Sequence, residues 1–292
     1  LLSALTGPAL ALSDSELAAE KGVDIFFGAS VGGGIPVIRS LRDGLVGNEI
    51  ETIYGILNGT CNYILTTMEK EGLPFDVVLK NAQELGFAEA DPTLDVDGFD
   101  TLHKGAILAA LAYGIQPDVH QLSVEGIRNK VEAEDIKYAA EFGYKIKLLA
   151  IIKKHEDEIE LRVAPTLVPA DGMLASVSGV FNAALIKSDL DDKTLYYGRG
   201  AGRMPTASTV IGDIADLSTI VTGLQEDVEK AQGVIKDHTT LINDHDEQLA
   251  DVQKMLGDND EMQTALGKLE AAAPGQQFTI SQGFVIMTDH LQ

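Results

Sequence analysis

Cysteine, tryptophan and positive charge are scarce in this sequence of 292 residues. The one cysteine, Cys61, excludes a disulfide within the sequence and is typical of a reducing compartment, so we expect a cytoplasmic protein. Lysine and arginine together number 22 against 45 acidic residues, which leaves a net charge of −23. Nucleic acids and anionic membrane surfaces select basic patches, so neither is expected as a partner.

Long apolar runs and an export signal are also missing from the sequence. No uninterrupted run of about 18 apolar residues occurs, so no membrane span is expected. The chain opens at Leu1 rather than at methionine, without a basic segment ahead of an apolar core. We interpret this opening as a truncated or processed start and not as a signal peptide.

The dinucleotide-binding pattern G-x-G-x-x-G occurs nowhere, although two other glycine-rich turns do. The first turn, residues 28–34, lies between a predicted strand at 23–27 and a predicted helix at 35–45. Its pattern G-x-S-x-G around Ser30 fits the nucleophile elbow of a hydrolase. The same glycines would suit a phosphate at a helix N-terminus or a cation held by turn carbonyls, and the pattern leaves the three open.

The second glycine-rich turn, residues 198–202, precedes Pro205 and a predicted helix. It is equally compatible with a tight turn and with a close approach of the backbone to a ligand. The spacing of its glycines does not separate the two interpretations.

Alternating strands and helices indicate an α+β or α/β fold, and of the two we expect an α+β fold in which helices cover a sheet. Apolar runs and alternation indicate further strands at 50–56, 124–127, 145–153, 159–166, 182–187 and 195–198. Helical spacing and end signals indicate further helices at 13–22, 62–70, 75–84, 98–113 and 207–217.

The pattern changes near residue 218, so we divide the chain into domains 1–217 and 218–292. Apolar residues and two histidines then follow alternating spacings of four and three, which predicts a coiled coil or one long amphipathic helix packed on its own domain. We call this set the heptad seam: Leu217, Val221, Leu224, Val228, Ala231, Ile235, His238, Ile242, His245, Leu249, Val252 and Leu256. A short strand or hairpin is expected at 278–287.

The acidic segment from Gly86 to Lys104 is the part of the chain richest in potential chemistry. Its first half contains too much proline, glycine and aspartate for a regular element, and Asp97 is a plausible N-cap for the helix that follows. Asp100 and Lys104 lie four residues apart and share a helix face. With the loop carboxylate of Glu89, such a pair suits an amino-acid substrate and a proton transfer, although surface pairs of this kind are common.

Six ordered segments resemble homoserine dehydrogenases, across residues 1 to about 217. They are Gly7-Pro8, GASVGGGIP (28–36), GILNGTCNYILT (55–66), GFAEADPTLDVDGFDTLHK (86–104), LASVSGVFNA (174–183) and YGRGAGRMPTAS (197–208), which runs into Gly212-Asp213-Ile214. The resemblance implies an NAD- or NADP-dependent oxidoreductase that interconverts L-homoserine and L-aspartate 4-semialdehyde. That reaction belongs to threonine and methionine biosynthesis.

The resemblance also implies a role for individual residues. Lys104 would transfer the proton, and Asp100 would hold or polarise the reacting oxygen. Glu89 and Asp95 would bind the amino and hydroxyl groups of the substrate. Gly59 and Thr60 would line the substrate pocket, and Gly200 and Gly202 would lie close to the nicotinamide. A site for a monovalent cation, Na⁺ or K⁺, would be formed largely by main-chain carbonyls of Gly28, Val31, Gly33 and Ile35.

The family resemblance further implies a homodimer formed through residues 1–217, with further assembly expected through 218–256. Four features differ from the family pattern. The N-terminal dinucleotide-binding domain is not present in this sequence, and Leu5-Thr6 stands where the family has Asn-Lys. Residues 218–292 do not resemble the usual continuation, and Gly28 replaces an acidic residue. These differences leave a second hypothesis open, a non-catalytic oligomerising module derived from the same domain, and a third, a serine hydrolase that uses Ser30.

Overall fold

The computed structural model describes residues 17–18, 20–156, 158–257, 264, 267, 268, 271, 277–281 and 284–288. By its internal contacts the chain divides into two compact units, Leu1–Leu217 and Ser218–Gln292. Leu5, Thr6, Gly7 and Pro8 lie outside the described residues, and so do residues 13–16 and 19 of the helix predicted at 13–22.

A six-stranded sheet organises the first unit. Its strands are β1 Ile50–Ile56, β2 Ser123–Val124, β3 Tyr144–His155, β4 Glu158–Pro169, β5 Phe181–Ser188 and β6 Asp192–Arg199. They are ordered β2-β4-β3-β1-β5-β6, with β2 parallel to β4 and every other pair antiparallel. The two long hairpins, β3–β4 and β5–β6, therefore flank the central strand β1.

Helices cover one face of this sheet, which confirms the predicted α+β class. They are α1 Gly59–Glu71, α2 Phe75–Glu84, α3 Thr93–Val96, α4 Phe99–Tyr113 and α5 Ala133–Glu141. The helix α1 contacts β3 and β5, while α4 contacts β1, β3 and β4. Both helices begin close to the carboxyl end of β1 or to the acidic segment, so their first turns carry the candidate site.

Alternation along β3 divides the core between the two faces of the sheet. Leu148 and Ile152 are buried with the helices, whereas Leu149 and Ile151 are buried on the opposite face with the short turn Met173–Ser176. Successive side chains of a strand point to opposite faces, so a run that is apolar throughout requires cover on both sides. The turn supplies that cover through Leu174 and Ala175.

The predicted strand at 23–27 is wrong, since these residues form no regular element. Their apolar side chains pack instead: Phe27 lies against the core, and the Arg42 guanidinium lies 5.6 Å from the centre of the Phe26 ring. The predicted helix at 35–45 is present only in part, as Val37–Arg39 followed by the π-helical residues Ser40–Gly44. A short apolar run cannot by itself distinguish a strand from an irregular buried segment.

Asp97 is not the N-cap of α4. The residue at that position is Gly98, whose φ of +90° turns the chain sharply from α3 into α4. Asp97 instead pairs with Arg128 at 3.1 Å. The segment before Gly98 is also more regular than predicted, because Thr93–Val96 forms a helical turn.

The helix α5 was missed by the sequence pattern, although Glu132 and Asp135 form a capping box at its start. Its nine residues bury only Ile136 and Ala139, too few for the apolar periodicity to stand out. The predicted strand at 124–127 is reduced to the two residues of β2, because Gly126 and Ile127 turn away to contact the acidic segment.

The helix α6, Arg203–Gly257, begins before the predicted residue 207 and continues past 217 into the second unit. Along it the seam residues whose burial is described are solvent-exposed, which gives no support to a helix packed on its own domain and leaves the coiled coil a prediction. A hairpin of β7 Gln277–Ser281 and β8 Phe284–Thr288 follows, which confirms the hairpin expected at 278–287.

By length and composition alone, α6 could also cross a membrane, because Arg203–Asp251 contains an 18-residue window that is sufficiently apolar. A single such helix is weak support for a span. The expected absence of a membrane partner therefore remains a prediction.

Gly126 lies outside the acidic segment but packs very closely against its backbone. A Cβ atom at this position would lie 2.1 Å from the Val96 carbonyl oxygen and 2.3 Å from the Asp97 Cα atom. We therefore expect Gly126→Ala to lower the free energy of unfolding by about 3 kcal/mol, the upper end of the range for overpacking. Urea denaturation followed by circular dichroism measures this change.

The matched control is Gly47→Ala, because a Cβ atom there meets no atom within 4 Å. This variant should stay within about 0.5 kcal/mol of the unmodified chain. Equal midpoints for the two variants would contradict the proposed packing of Gly126.

Candidate active site

Asp100 and Lys104 lie on the first two turns of α4 and form a half-buried ion pair. Lys104 Nζ is 2.7 Å from Asp100 Oδ2, and the two side chains are 17% and 20% exposed. Lys104 Nζ also donates a hydrogen bond of 3.1 Å to the Leu57 carbonyl oxygen at the end of β1. The pair is thus fixed between a helix and the sheet instead of lying free on a surface.

Asn58 joins this pair to the acidic segment, and the sequence analysis missed it. Its Nδ2 donates to Asp95 Oδ1 at 2.7 Å and to Asp100 Oδ2 at 2.9 Å. Its Oδ1 accepts from the Cys61 amide at 2.8 Å, which makes Asn58 the N-cap of α1. An asparagine directly before Gly59-Thr60 is a recognisable capping signal, but nothing local indicates that its other amide atom bridges two carboxylates.

Burial raises the pKa of the Asp95 carboxyl above its ordinary value. The nearby Asp100 charge acts in the same direction, while the Asn58 hydrogen bond and the Lys104 charge favour ionisation. Two carboxylates and one ammonium therefore share a site that water only partly reaches. Such a cluster holds a strongly polar ligand in preference to an apolar one.

Gly59 and Thr60 form the first turn of α1 beside the cluster. The Thr60 hydroxyl donates to the Phe87 carbonyl oxygen at 2.7 Å and ties the loop after α2 to this turn. Glu89 lies in that loop, is exposed, and accepts a hydrogen bond from Gln83 through its backbone carbonyl. A Cβ atom on Gly59 would lie 2.9 Å from the Val180 carbonyl oxygen, so only glycine fits there.

The Leu57 carbonyl oxygen also connects the site to the turn after β6. Asn182 Nδ2, on β5, donates to that oxygen at 2.8 Å. A Cβ atom on Gly200 would lie 2.0 Å from Asn182 Nδ2, so protein packing alone accounts for glycine at this position. Gly202 differs, because its φ of +117° demands glycine while a Cβ atom would meet only Pro205, at 3.5 Å. Its backbone is therefore accessible to a ligand.

The predicted cation loop is compact and largely buried. The Gly33 carbonyl oxygen accepts a hydrogen bond of 2.8 Å from Thr209 Oγ1, and the Ile35 carbonyl oxygen accepts one of 2.8 Å from the Val37 amide. A carbonyl oxygen has two lone pairs, so each retains capacity for a cation. Val31 is fully buried in the same loop. The loop is compatible with a cation bound by main-chain oxygens.

Asp213 on α6 places a carboxylate directly beside Gly28. Its Oδ2 accepts from the Gly28 amide at 3.0 Å, and a Cβ atom on Gly28 would lie 2.8 Å from its Oδ1. Burial raises the pKa of this carboxyl. Within the described part of the chain, no group of three or more histidine, cysteine, aspartate or glutamate side chains is suited to a metal ion.

Ser30 does not have the surroundings of a hydrolase nucleophile. Its side-chain oxygen is buried and makes no hydrogen bond to any residue that the structure describes. An active serine requires a base within hydrogen-bond reach, so the geometry gives the elbow interpretation no support.

Comparison with known proteins assigns the family. The homoserine dehydrogenase family model matches residues 36–215. The chain belongs to the homoserine dehydrogenase family. The homoserine dehydrogenase of Neisseria gonorrhoeae is 50% identical over 205 residues, which make up 70% of this chain and 47% of that protein.

Two solved homoserine dehydrogenases share this fold. The enzyme from Thiobacillus denitrificans superposes with a TM-score of 0.71 at 48% identity, over 74% of this chain and 50% of that one. A hyperthermophilic archaeal homoserine dehydrogenase, in complex with NADPH, gives a TM-score of 0.62 at 32% identity, over 73% and 61% of the two chains. The present chain spans about half the length of the curated relatives it matches.

The raised pKa of Asp95 predicts how the free energy of unfolding depends on pH. An acid whose folded pKa is raised stabilises the fold below its unfolded pKa and loses that contribution as pH rises through the folded value. Asp95→Asn removes the ionisable group, while the oxygen of the substituted amide can still accept the hydrogen bond from Asn58. We therefore expect a higher free energy of unfolding than that of the unmodified chain at pH 7, and no difference at pH 3.

Urea titrations at the two pH values measure this effect. Asp91→Asn is the control of opposite sign, because hydrogen bonds from Thr93 lower the pKa of this exposed carboxyl. A loss of stability in Asp95→Asn at pH 7 would mean that the buried charge is favourable.

Proposed function

We propose that this chain interconverts L-homoserine and L-aspartate 4-semialdehyde with NAD or NADP, as a step in threonine and methionine biosynthesis. The observation that carries the proposal is the orientation of Lys104. Two of the three N–H donors of its ammonium are used within the described residues, by Asp100 and the Leu57 carbonyl. The third remains for a ligand oxygen.

Lys104 would act as the acid in the direction of aldehyde reduction. The aldehyde oxygen gains negative charge as the carbon accepts hydride, and an ammonium beside it stabilises that charge and then donates its proton. In the oxidation direction the neutral amine takes up the proton of the homoserine hydroxyl. Asp100 holds the amine in place in both directions, and Asn58 keeps the Asp100 carboxylate from rotating away.

Asp95 and Glu89 would bind the polar groups of the amino-acid substrate. Asp95 is already ordered by Asn58, whereas Glu89 lies on a loop tied down by Thr60. Gly59 and Thr60 would line the substrate pocket beside them. The substrate would thus be held by carboxylates and backbone at one end and by Lys104 at the other.

The nicotinamide of NAD or NADP would supply or accept the hydride. Gly202 suits that role, because its accessible backbone allows close approach, and Gly200 keeps the turn packed on Asn182. The relative that binds NADPH is in keeping with this assignment. A monovalent cation, Na⁺ or K⁺, would be held by the carbonyls of the loop that contains Gly28, Val31, Gly33 and Ile35.

Self-association is the second part of the proposal. A homodimer would form through residues 1–217, and the heptad seam of α6 would join further copies in a coiled coil. The exposed seam favours this, because β-branched residues such as Val221, Val228 and Ile235 alternate with Leu217 and Leu224, a pattern typical of two-stranded parallel coils. His238 and His245 would be polar seam positions that set the register.

Replacement of Lys104 tests the catalytic proposal. We expect the purified chain to reduce NAD⁺ or NADP⁺ in a homoserine-dependent manner, and Lys104→Met to lower kcat by at least about 100-fold, as is usual for a lost general acid. Lys80→Met, at an exposed lysine of α2, should leave kcat unchanged. Absence of turnover in the folded, unmodified chain would reject catalysis by this chain and favour the non-catalytic module.

Replacement of a seam residue tests the coiled coil. Light scattering after size exclusion should give Ile242→Glu a smaller mass than the unmodified chain, because the charge would be buried between helices. Thr240→Glu alters the same exposed turn outside the seam and should leave the mass unchanged. Equal masses for all three proteins would contradict assembly through the seam.

A further inference from the structure

Lys147 is a buried lysine that the proposed reaction does not use. It lies in β3, its residue is 1% exposed, and it is among the largest fully buried side chains of the described residues. Its Nζ donates to the Val177 carbonyl oxygen at 2.5 Å and to Asn62 Oδ1 at 3.2 Å. Neither acceptor is charged, so the ammonium is held by neutral oxygens.

This arrangement carries a cost in stability. Burial lowers the pKa of Lys147 to about 8, because the charged form loses its hydration. The charges of Glu69, Lys145 and Lys70 act on it, and Glu69 already pairs with Lys145 at 2.8 Å. An apolar side chain would fill the same space without this penalty. The lysine therefore calls for an explanation other than core packing.

Side chains of α1 also bind the segment that Lys147 holds. Asn62 Nδ2 donates to the carbonyl oxygens of Gly179 and Phe181, each at 3.0 Å. The Gly179 amide donates to Thr66 Oγ1 at 3.1 Å. Together with Lys147, these contacts form a polar clamp on residues 177–181, which we call the clamped turn.

The clamped turn leads directly to the candidate active site. The Val180 carbonyl oxygen faces Gly59 so closely that a Cβ atom there would lie 2.9 Å away. One residue after the turn, Asn182 donates to the Leu57 carbonyl oxygen, the same atom that accepts from Lys104 Nζ. Displacement of the turn would therefore move both the wall beside Gly59 and a partner of the atom that orients Lys104.

We propose that Lys147 is a positioning residue, which acts through Asn62 and the clamped turn to keep Asn182 on the Leu57 carbonyl and Lys104 in its catalytic orientation. The inference rests on the proposed function of Lys104. It assigns the buried ammonium a role in catalysis that a methionine of similar length cannot fulfil, because methionine has no N–H donor for the Val177 carbonyl.

The test compares Lys147→Met with Lys145→Met. Lys145 lies two residues away on the same strand, but its side chain is 31% exposed and pairs with Glu69 at 2.8 Å. We expect Lys147→Met to lower kcat about 10-fold while KM for homoserine changes less than about 3-fold, since a misplaced acid affects the chemical step more than binding. Lys145→Met should retain both constants.

A double variant tests whether the effect passes through Lys104. In the Lys104→Met background, Lys147→Met should produce no further loss of kcat, because residues that act as a unit are not additive. Independent, multiplicative losses would overturn the positioning role. Equal kinetics for Lys147→Met and the unmodified chain would overturn it as well.

Hydrogen exchange gives a readout that does not depend on turnover. The Gly179 amide should exchange faster in Lys147→Met than in Lys145→Met, while amides of α4 stay unchanged. If the unmodified chain shows no turnover, the proposed function and the catalytic role of Lys147 both fail, and exchange still decides whether the clamp exists.

A second variant, Asn62→Asp, tests the same clamp if Lys147→Met does not fold. Asn62→Asp still accepts from Lys147 but cannot donate to the Gly179 and Phe181 carbonyls. It should reproduce the loss of kcat and the faster exchange of Gly179. Unchanged exchange in this variant would overturn the clamp.

Discussion

The junction between β1 and α1, residues 57–60, is the constraint on which the candidate site depends. The Leu57 carbonyl oxygen accepts from Lys104 and Asn182, and Asn58 caps α1 while it bridges Asp95 and Asp100. Gly59 admits the Val180 carbonyl, and Thr60 holds the loop that carries Glu89. Because β1 is the central strand of the sheet, residues 57–60 attach each of these segments of the site to the rigid core.

Polar groups buried around this junction lower the stability of the fold, but they hold the groups of the candidate site in fixed orientations. Asp95 and Lys147 both have pKa values shifted against their charged forms, chiefly by burial. Apolar residues would fill these positions at lower cost, but they could not orient a carboxylate, a carbonyl or an ammonium. Each of the two charged groups contacts an asparagine of the same helix, since Asn58 at the N-cap of α1 holds Asp95 and Asn62 in its first turns holds Lys147.

Much of the framework follows from local pattern. The strand at 50–56, the helices at 75–84 and 98–113, and the long helix after residue 203 lie close to their predicted bounds. The errors have physical causes. Residues 23–27 are mostly apolar but pair with no strand that the structure describes. The helix α5 buries too few side chains to show a period, and Gly98 displaces Asp97 from the cap because the chain must turn with a positive φ.

By itself the sequence determined that Asp100 and Lys104 share a helix face, since helical periodicity acts over four residues. It also determined the acidic composition, the heptad pattern and the six segments typical of the family. Only the tertiary structure decided that this pair meets Asn58, Leu57 and Asn182, because Leu57 is 47 residues from Lys104 and 125 from Asn182 in the chain. Contacts of that kind depend on how the sheet and helices pack, and no local pattern encodes them.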